Sequence, residues 1–594
     1  MHVLEVATDP GEAFIQALHA ATLCEAFQIT SAARADQIAL RTVDGSVSLT
    51  FAALSERVRR LTAGFAALGV RPGDTVGIML TNRPEFHIVD LAAMHLGALP
   101  FSIYNTSAPT QIEYLFSDAG NRIVITERAF VDRLVAVRDG GIPIDMIVVV
   151  DGAPEGTLSL EDVEAAGDPD FDFSAAWSAV GPDDILTLIY TSGTTGPPKG
   201  VELTHHNLMS QIRSLQQAMP TTPGGRFVSF LPSAHIGDRW GAHYCALMIW
   251  GFTVTPHPVG SEVLDVVAQV RPTVFQPVPR IWEKAKAKLE AQLEADPNLV
   301  RRVSLRWAID TGIKKAQAAR DKRSLGKIFD IQSSVAAALI GDRLRRMLGL
   351  EETEWVLSGS APTPREVFEF FSAIGVPICE VWGMSETSLA VTINPRDAVR
   401  HGTVGLPLPG IEVKVAEDGE LLVRGATVMR GYRNKPDKTA EAIDTDGWLH
   451  SGDIGTVDED GYVRIVDRKK DIIINAAGKN MSPANIESWL RSSSPLIGQA
   501  ACIGDGRLYN IALISLDPDA AAGRSASDPA IIAEVAAGVD LANSHLSRVE
   551  QIKKFRVVED YWLPGSDELT PTMKVKRKNV MAKYAAQIDD LYST

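Results

Sequence analysis

The sequence predicts an α/β protein: a large N-terminal domain, residues 1–469, of parallel-sheet α/β subdomains plus a small β subdomain, followed by a small α+β domain, residues 470–594. Three observations carry this reading. Apolar β-rich runs alternate with helical patterns early in the chain, as strand–helix–strand units require. A Gly-rich stretch of short alternating segments, about 402–467, reads as a compact β unit. The run Arg468-Lys469-Lys470-Asp471 then interrupts the apolar pattern, and a new set of strands and helices begins.

In chain order, Thr75 to Leu80 reads as a strand, Glu85 to Gly97 as a helix, and Arg122 to Thr126 and Met146 to Val150 as further strands. Ile185 to Thr191 is an apolar strand that runs straight into a loop of Gly, Thr and Pro, and loops at strand C-termini are where open α/β sheets bind ligands. Residues of about 283–348 are rich in Ala, Lys, Arg and Leu, which predicts a helical insertion with Lys284, Lys286 and Lys288 on solvated faces. The β subdomain contributes Gly410 to Val415, Glu420 to Arg424 and Tyr462 to Val466. Beyond the basic run come a strand, Ile472 to Ile474, and a hairpin, Ala476 to Met481. A helix then opens at Ser482-Pro483, with Ser as cap and Pro in the first turn. Strands near Ala500 to Ile503 and Ile511 to Leu516 and an Ala-rich helix after Pro529 complete the domain, with Asp519 to Asp528 read as a loop.

At 594 residues the chain is about four times the length of a typical single domain, so it can bury large cores. A hydrophobic fraction of 45% with 22% charged residues matches an ordinary folded protein and excludes general disorder. The net charge of −16 argues against attraction to nucleic acid phosphates. Cys24, Cys245, Cys379 and Cys502 are far apart, which excludes a disulfide scaffold and a zinc ribbon. The N-terminus lacks the basic and apolar regions of a signal peptide, so a cytoplasmic location is expected. The best apolar window, Tyr244 to Pro256, falls short of the roughly 20 residues that cross a bilayer, so any membrane contact is expected to be peripheral.

The most informative segment is Tyr190-Thr191-Ser192-Gly193-Thr194-Thr195-Gly196-Pro197-Pro198-Lys199-Gly200, directly after the apolar strand. Its glycines let backbone amides approach a phosphate, Ser192, Thr194 and Thr195 add hydroxyl donors, and Lys199 adds a positive charge. It is not a Walker A loop: Lys199 stands between Pro198 and Gly200, where that motif needs Gly-Lys-Ser/Thr, and a P-loop kinase is thereby disfavoured. On composition alone such a loop is a turn.

The full string resembles the signature of the adenylate-forming superfamily, which includes acyl-CoA synthetases, luciferases and peptide-synthetase adenylation domains. The resemblance recurs in chain order at Ser358-Gly359-Ser360-Ala361-Pro362, Trp382-Gly383-Met384-Ser385-Glu386-Thr387, Trp448 to Asp453, Asp467 to Asp471 and Leu569 to Lys574. It therefore spans nearly the whole chain. Pro232-Ser233-Ala234-His235, Gly478 to Pro483 and the basic insertion look most like the long-chain fatty acyl-CoA synthetase branch.

The resemblance implies ATP, Mg²⁺ and coenzyme A as partners of a medium- to long-chain fatty acid. It assigns Thr191, Ser192, Gly193, Thr194, Thr195 and Lys199 to the β- and γ-phosphates, Ser385 to the α-phosphate and Glu386 to Mg²⁺. Ser358, Gly359, Ser360, Ala361, Pro362, Trp382 and Gly383 would frame the adenine; many relatives have Tyr at the position of Trp382, so this chain keeps the stacking plane without the phenolic hydroxyl. Asp453, read as following Gly452 in a turn, and Arg468 would hold the ribose. His235 would lie beside the activated carboxylate, and Trp240 is a candidate gate of the acyl tunnel. Lys574 would reach the carboxylate and α-phosphate during adenylation, Lys470 would be the hinge of a mobile C-terminal domain, and the hairpin with Gly478, Lys479 and Asn480 would shape the coenzyme A site. Each residue alone has a plainer reading: Asp453 in an Asx-turn, Arg468 a solvated cation, His235 a hydrogen-bonded structural histidine, Trp382 core, Glu386 a helix-start residue and Lys574 part of a solvated basic tail. A ligase that loads an acyl carrier protein or stops at the adenylate, and a non-catalytic binder on the same fold, are the alternatives.

Overall fold

A computed structural model describes residues 5–191, 197–258, 262–320, 323–476, 479–570 and 573–593. A five-stranded, wholly parallel sheet runs in the order Leu99–Ser102, Thr75–Met79, Ile123–Thr126, Met146–Val149, Leu158–Ser159. Thr75–Met79 is buried along its whole length, and the helix Pro84–His95 behind it is buried nearly all round, as a parallel sheet covered on both faces demands. A second sheet places Val274–Phe275, Trp355–Ser358 and Cys379–Met384 in parallel and ends in antiparallel Leu389–Ile393 and Leu406–Pro407.

Ile185–Thr191 does not join a parallel sheet. It pairs antiparallel with Lys199–Thr204, which pairs in turn with Gly431–Tyr432. The reason is loop length: Ser192 to Pro198 is far shorter than the dozen or more residues a parallel crossover needs, so the chain folds back as a hairpin. The expected phosphate loop is the sequence that connects these two strands.

The helical insertion begins earlier than read, at Pro279, and is three helices: Pro279–Glu294, Leu299–Arg320 and Lys327–Leu348. Lys284, Lys286 and Lys288 lie on partly solvated faces but are paired, with Asp519 at 3.4 Å, Glu290 at 2.9 Å and Asp265 at 2.6 Å. Asp519 belongs to the Ala-rich stretch, which opens with one helical turn, Pro518–Ala521, and not a plain loop; Asp517 caps that turn and also binds Arg280.

Ile411–Val415, Glu420–Gly425, Leu449–Val457 and Val463–Arg468 form the β subdomain. The C-terminal part has its own cores around Ile497–Ile503, Asn510–Leu516 and Ile552–Val558, with Ser482 capping Pro483–Ser493 as its sequence requires.

The apolar window is buried. Its first part, Tyr244 to Ile249, lies in a wide-turn helix, Arg239–Ile249, where π-type bonding leads into a Trp250 N–H to Cys245 C=O bond of 2.8 Å, and π-turns mark strained or functional segments. Under it sits a polar cluster that sequence patterning did not flag. The Arg239 guanidinium binds Asp90, His243 Nε2 lies 3.1 Å from the other Asp90 oxygen, and the His243 and His87 Nδ1 atoms are 3.0 Å apart. Burial, with Arg239 adding to it, drives both histidines well below their ordinary range and keeps them neutral. Asp90→Ala leaves the buried Arg239 without its anion and is expected to destabilise the fold by about 3–5 kcal/mol, measured as a shift of the urea midpoint; an unchanged midpoint would show the pair to be dispensable.

Candidate active site

The connecting residues Ser192, Gly193, Thr194 and Thr195 lie outside the described residues; the two sides of the hairpin do not. Thr191 and Lys199 face each other in strand register. The Lys199 ammonium lies 3.8 Å from the centre of the Tyr432 ring, and the Tyr432 hydroxyl donates 2.8 Å to Glu386 Oε1. Burial lowers the Lys199 pKa, Glu386 opposes that fall and the Lys470 charge adds to it. Burial, reinforced by Glu386, raises the Tyr432 phenol, so it stays a donor.

Glu386 sits on a single tight turn, Ser385–Thr387, whose entry demands Gly383: a Cβ there would stand 1.6 Å from the Leu389 carbonyl oxygen. The exit is strained as well, with Ser388 at φ 61° and Leu389 at φ 113°, and a Ser388 hydroxyl bond of 2.8 Å to the Thr427 carbonyl helps hold it. The Tyr432 hydroxyl then holds the Glu386 carboxylate through Oε1.

Next to it, the strand Trp355–Ser358 delivers Ser358, whose hydroxyl lies 2.7 Å from that of Thr363, and Gly359 to Pro362 form the loop that follows, with Ser360 at φ 71°. Trp382 is on the adjacent strand. Its indole N–H donates 2.8 Å to Asp453 Oδ2, so an N–H donor stands in for the polar group that a Tyr hydroxyl would bring. Asp453 is not in a turn. It lies on Leu449–Val457, just after Gly452 at φ 73°, and pairs in register with Arg468, whose Nε is 3.0 Å from Asp453 Oδ1. Each carboxylate oxygen keeps a lone pair free for a further donor.

Lys574 enters from the C-terminal domain. It rides a tight turn closed by the Thr570 N–H to Lys574 C=O bond of 2.8 Å and the Lys574 N–H to Thr570 Oγ1 bond of 3.0 Å, with Met573 at φ 66° bending the chain. Lys574 as a residue is exposed, yet its ammonium is crowded by protein. Desolvation, and then the Arg468 charge, lower its pKa to about 8, against the pull of Asp453 and Glu386. His235, at the N-terminus of the short helix Ile236–Asp238, is lowered to about 4 by burial and by Lys574. Its Nδ1 accepts the Gly237 N–H at 3.0 Å, so the neutral ring carries its proton on Nε2. This is a hydrogen-bond donor at neutral pH and not a general base.

The fold thus brings together Lys199, Glu386, Asp453, Arg468, His235 and Lys574 from segments spread over the chain. Lys470 is exposed in the turn after Arg468, where the Asp471 N–H bonds the Arg468 carbonyl at 3.0 Å, and its charge reaches Lys199. Gly478 lies outside the described residues. Lys479 and Asn480 belong to a hairpin that starts earlier than read, Ile473–Ile474 against Asn480–Met481, and bonds to Asp505 and Arg507 of its own domain. Trp240 is 2% exposed within the core. Tyr432 escapes sequence reasoning because its context, Arg430-Gly431-Tyr432, is unremarkable; only the strand pairing of Tyr432 with Val201 sets it between Lys199 and Glu386.

Lys199 beside Tyr432 and Glu386, the paired Asp453 and Arg468, and Lys574 from the C-terminal segment thus meet at one place, an arrangement of charges that suits an anionic substrate. Residues 27–433 match the family model of the AMP-binding enzyme, and residues 470–594 match that of the AMP-binding enzyme C-terminal domain. The chain belongs to the AMP-binding enzyme family. The fadD11 protein of Mycobacterium tuberculosis, which carries a fatty-acid–CoA ligase name, is 50% identical over 453 residues, covering 74% of this chain and 79% of that protein. The long-chain-fatty-acid–CoA ligase FadD15 of Mycobacterium bovis is 36% identical over 576 residues, 93% of this chain and 94% of that one. The crystal structure of the anthranilate CoA ligase AuaEII with anthranoyl-AMP superposes with a TM-score of 0.73 at 22% identity, covering 95% of this chain and 98% of that one, and shares the fold.

Proposed function

We propose that the protein is an ATP- and Mg²⁺-dependent fatty acid–CoA ligase acting on medium- to long-chain acids. The substrate carboxylate attacks the α-phosphorus of ATP and expels pyrophosphate; the coenzyme A thiol then attacks the acyl-adenylate carbonyl, loses its proton, and AMP leaves. The observation that carries the reading is the meeting of Lys574 with Asp453, Arg468 and Glu386, since the first step joins two anions and needs cations where charge gathers.

In this reading Lys199 and the loop beside it bind the β- and γ-phosphates, Lys574 bridges the carboxylate and the α-phosphate, and Asp453 and Arg468 take the ribose beside an adenine framed by Trp382 and residues 358–362. His235 Nε2 donates to a carboxylate oxygen and keeps it aimed. Among the described residues no three His, Cys, Asp or Glu side chains form a metal cage. Glu386, with Oε2 left open by Tyr432, suits a Mg²⁺ that arrives on the phosphates, because Mg²⁺ takes one or two carboxylates and keeps water and phosphate oxygens. The metal would neutralise charge on the leaving pyrophosphate. Lys470 serves as the hinge about which the C-terminal domain, residues 470–594, exchanges Lys574 for the hairpin with Lys479 and Asn480.

The test is AMP release across carboxylates from acetate to long chains, with and without coenzyme A. Each buried methylene contributes about 0.8 kcal/mol, so lengthening the acid from C4 to C12 is expected to raise kcat/KM by about three orders of magnitude or more. Acetate or an aromatic acid outperforming every long acid would sink the fatty acid assignment. AMP release indifferent to coenzyme A would favour a carrier-protein-loading or adenylate-only ligase.

A further inference from the structure

Nine of the twenty-one exposed large apolar side chains among the described residues fall between Leu299 and Met347, on or between the last two helices of the insertion. They are arranged. At 100° per residue, Val300, Val303 and Trp307 share a roughly 60° arc of Leu299–Arg320, and Ile328, Ile331 and Val335 share a similar arc of Lys327–Leu348. Val300 is 76% exposed and Ile328 78%. Neither stripe is a packing face, because each helix already buries another one, through Leu305, Ala308 and Ile309 on the first and Ala336, Leu344 and Leu348 on the second.

The charge of the same segment departs from that of the chain. Residues 299–348 hold twelve Lys and Arg against four Asp, in a protein of net charge −16. Lys314 continues the first stripe, Lys327 flanks the second, and both, with Lys315, are exposed. None of the three has an ion-pair partner among the described residues. A second copy of this chain would set the same basic face against itself in a two-fold contact, which like charges oppose. A nucleic acid offers no apolar phase for isoleucine. An anionic bilayer surface supplies both an apolar boundary and negative headgroups.

We infer that the Leu299–Leu348 helix pair docks the protein on an anionic membrane, with Ile328, Ile331 and Val335 at the headgroup–acyl boundary and Lys314, Lys315 and Lys327 on lipid phosphates. The inference rests on this surface alone and stands or falls separately from the substrate assignment. No described helix is long and apolar enough to cross a membrane, so the contact lies in the interface plane.

The full chain would be sedimented with phosphatidylcholine vesicles, with and without about one-third phosphatidylglycerol. The expected result is binding to the anionic vesicles that weakens as salt rises from about 0.05 to 0.5 M. Ile328→Glu with Ile331→Glu is expected to lower partitioning about tenfold or more. Lys314→Gln, Lys315→Gln and Lys327→Gln together should lower it by about fivefold per lysine. Unchanged melting curves and wild-type AMP release with a water-soluble acid check that both variants are folded and competent. Failure of the wild-type chain to sediment with anionic vesicles, wild-type partitioning by both variants, or a concentration-dependent dimer that Ile331→Glu dissolves, would each overturn the docking surface. A failed acyl-length profile with vesicle binding intact would sink the substrate reading and leave this one standing.

Discussion

Lys574→Ala is expected to lower acyl-adenylate formation by about 10²–10³-fold while leaving thioester formation from pre-made acyl-adenylate and coenzyme A largely intact. The charge it removes is a cation that the C-terminal domain presents to Asp453, Arg468 and Glu386, at a position crowded enough to bring the ammonium to about 8. That value sets a pH dependence. The protonated lysine is the active form, so kcat/KM for adenylation should fall as pH rises through about 8 in the free enzyme, and kcat should fall at higher pH because bound phosphates stabilise the ammonium. Lys574→Arg, which stays charged, should abolish the alkaline fall even if its rate is lower. The companion variant Lys470→Pro fixes φ at the exposed turn after Arg468 and should form adenylate normally but be slow in thioester formation. Equal damage to both half-reactions by Lys574→Ala, or normal behaviour of Lys470→Pro in both, would defeat the two-arrangement mechanism.

Glu386→Gln should reduce ATP–pyrophosphate exchange by about two orders of magnitude, because a neutral amide is a poor partner for Mg²⁺ and the developing charge on pyrophosphate goes unoffset. Tyr432→Phe should act in the same assay through Glu386, with a smaller effect. It removes a hydrogen bond to a carboxylate, worth about 1.5–3 kcal/mol, while retaining the ring that meets Lys199. A positioning role predicts a raised Mg²⁺ requirement in Tyr432→Phe that saturating metal largely overcomes. Wild-type exchange by Glu386→Gln at saturating Mg²⁺ would remove Glu386 from the metal role.

Much of this site is readable along the chain because its chemistry is held in short contiguous strings. The hairpin ending at Lys199, the Trp382 to Thr387 segment and the turn carrying Lys574 each keep several interacting groups within a few residues, where glycine, proline and hydroxyl side chains announce the backbone shape. The parallel sheet is legible for a similar reason, since strands buried on both faces read as continuous apolar runs. Errors fall where a short connection overrides pattern: Ile185–Thr191 reads like a parallel strand but turns back, and Asp453 reads like a turn residue but lies in a strand.

By itself the sequence determined the α/β class, the change of pattern at 468–471, the family and the residue types of the candidate site. Only the tertiary structure decided which of them share a field and in what ionisation state. The Trp382 bond to Asp453, the Tyr432 link between Lys199 and Glu386, the neutral His235 and the Arg239–Asp90–His243 cluster all depend on packing that local sequence does not announce. A pKa shift or a buried ion pair depends on desolvation and on charges a few ångströms away, and both come into being when distant segments pack.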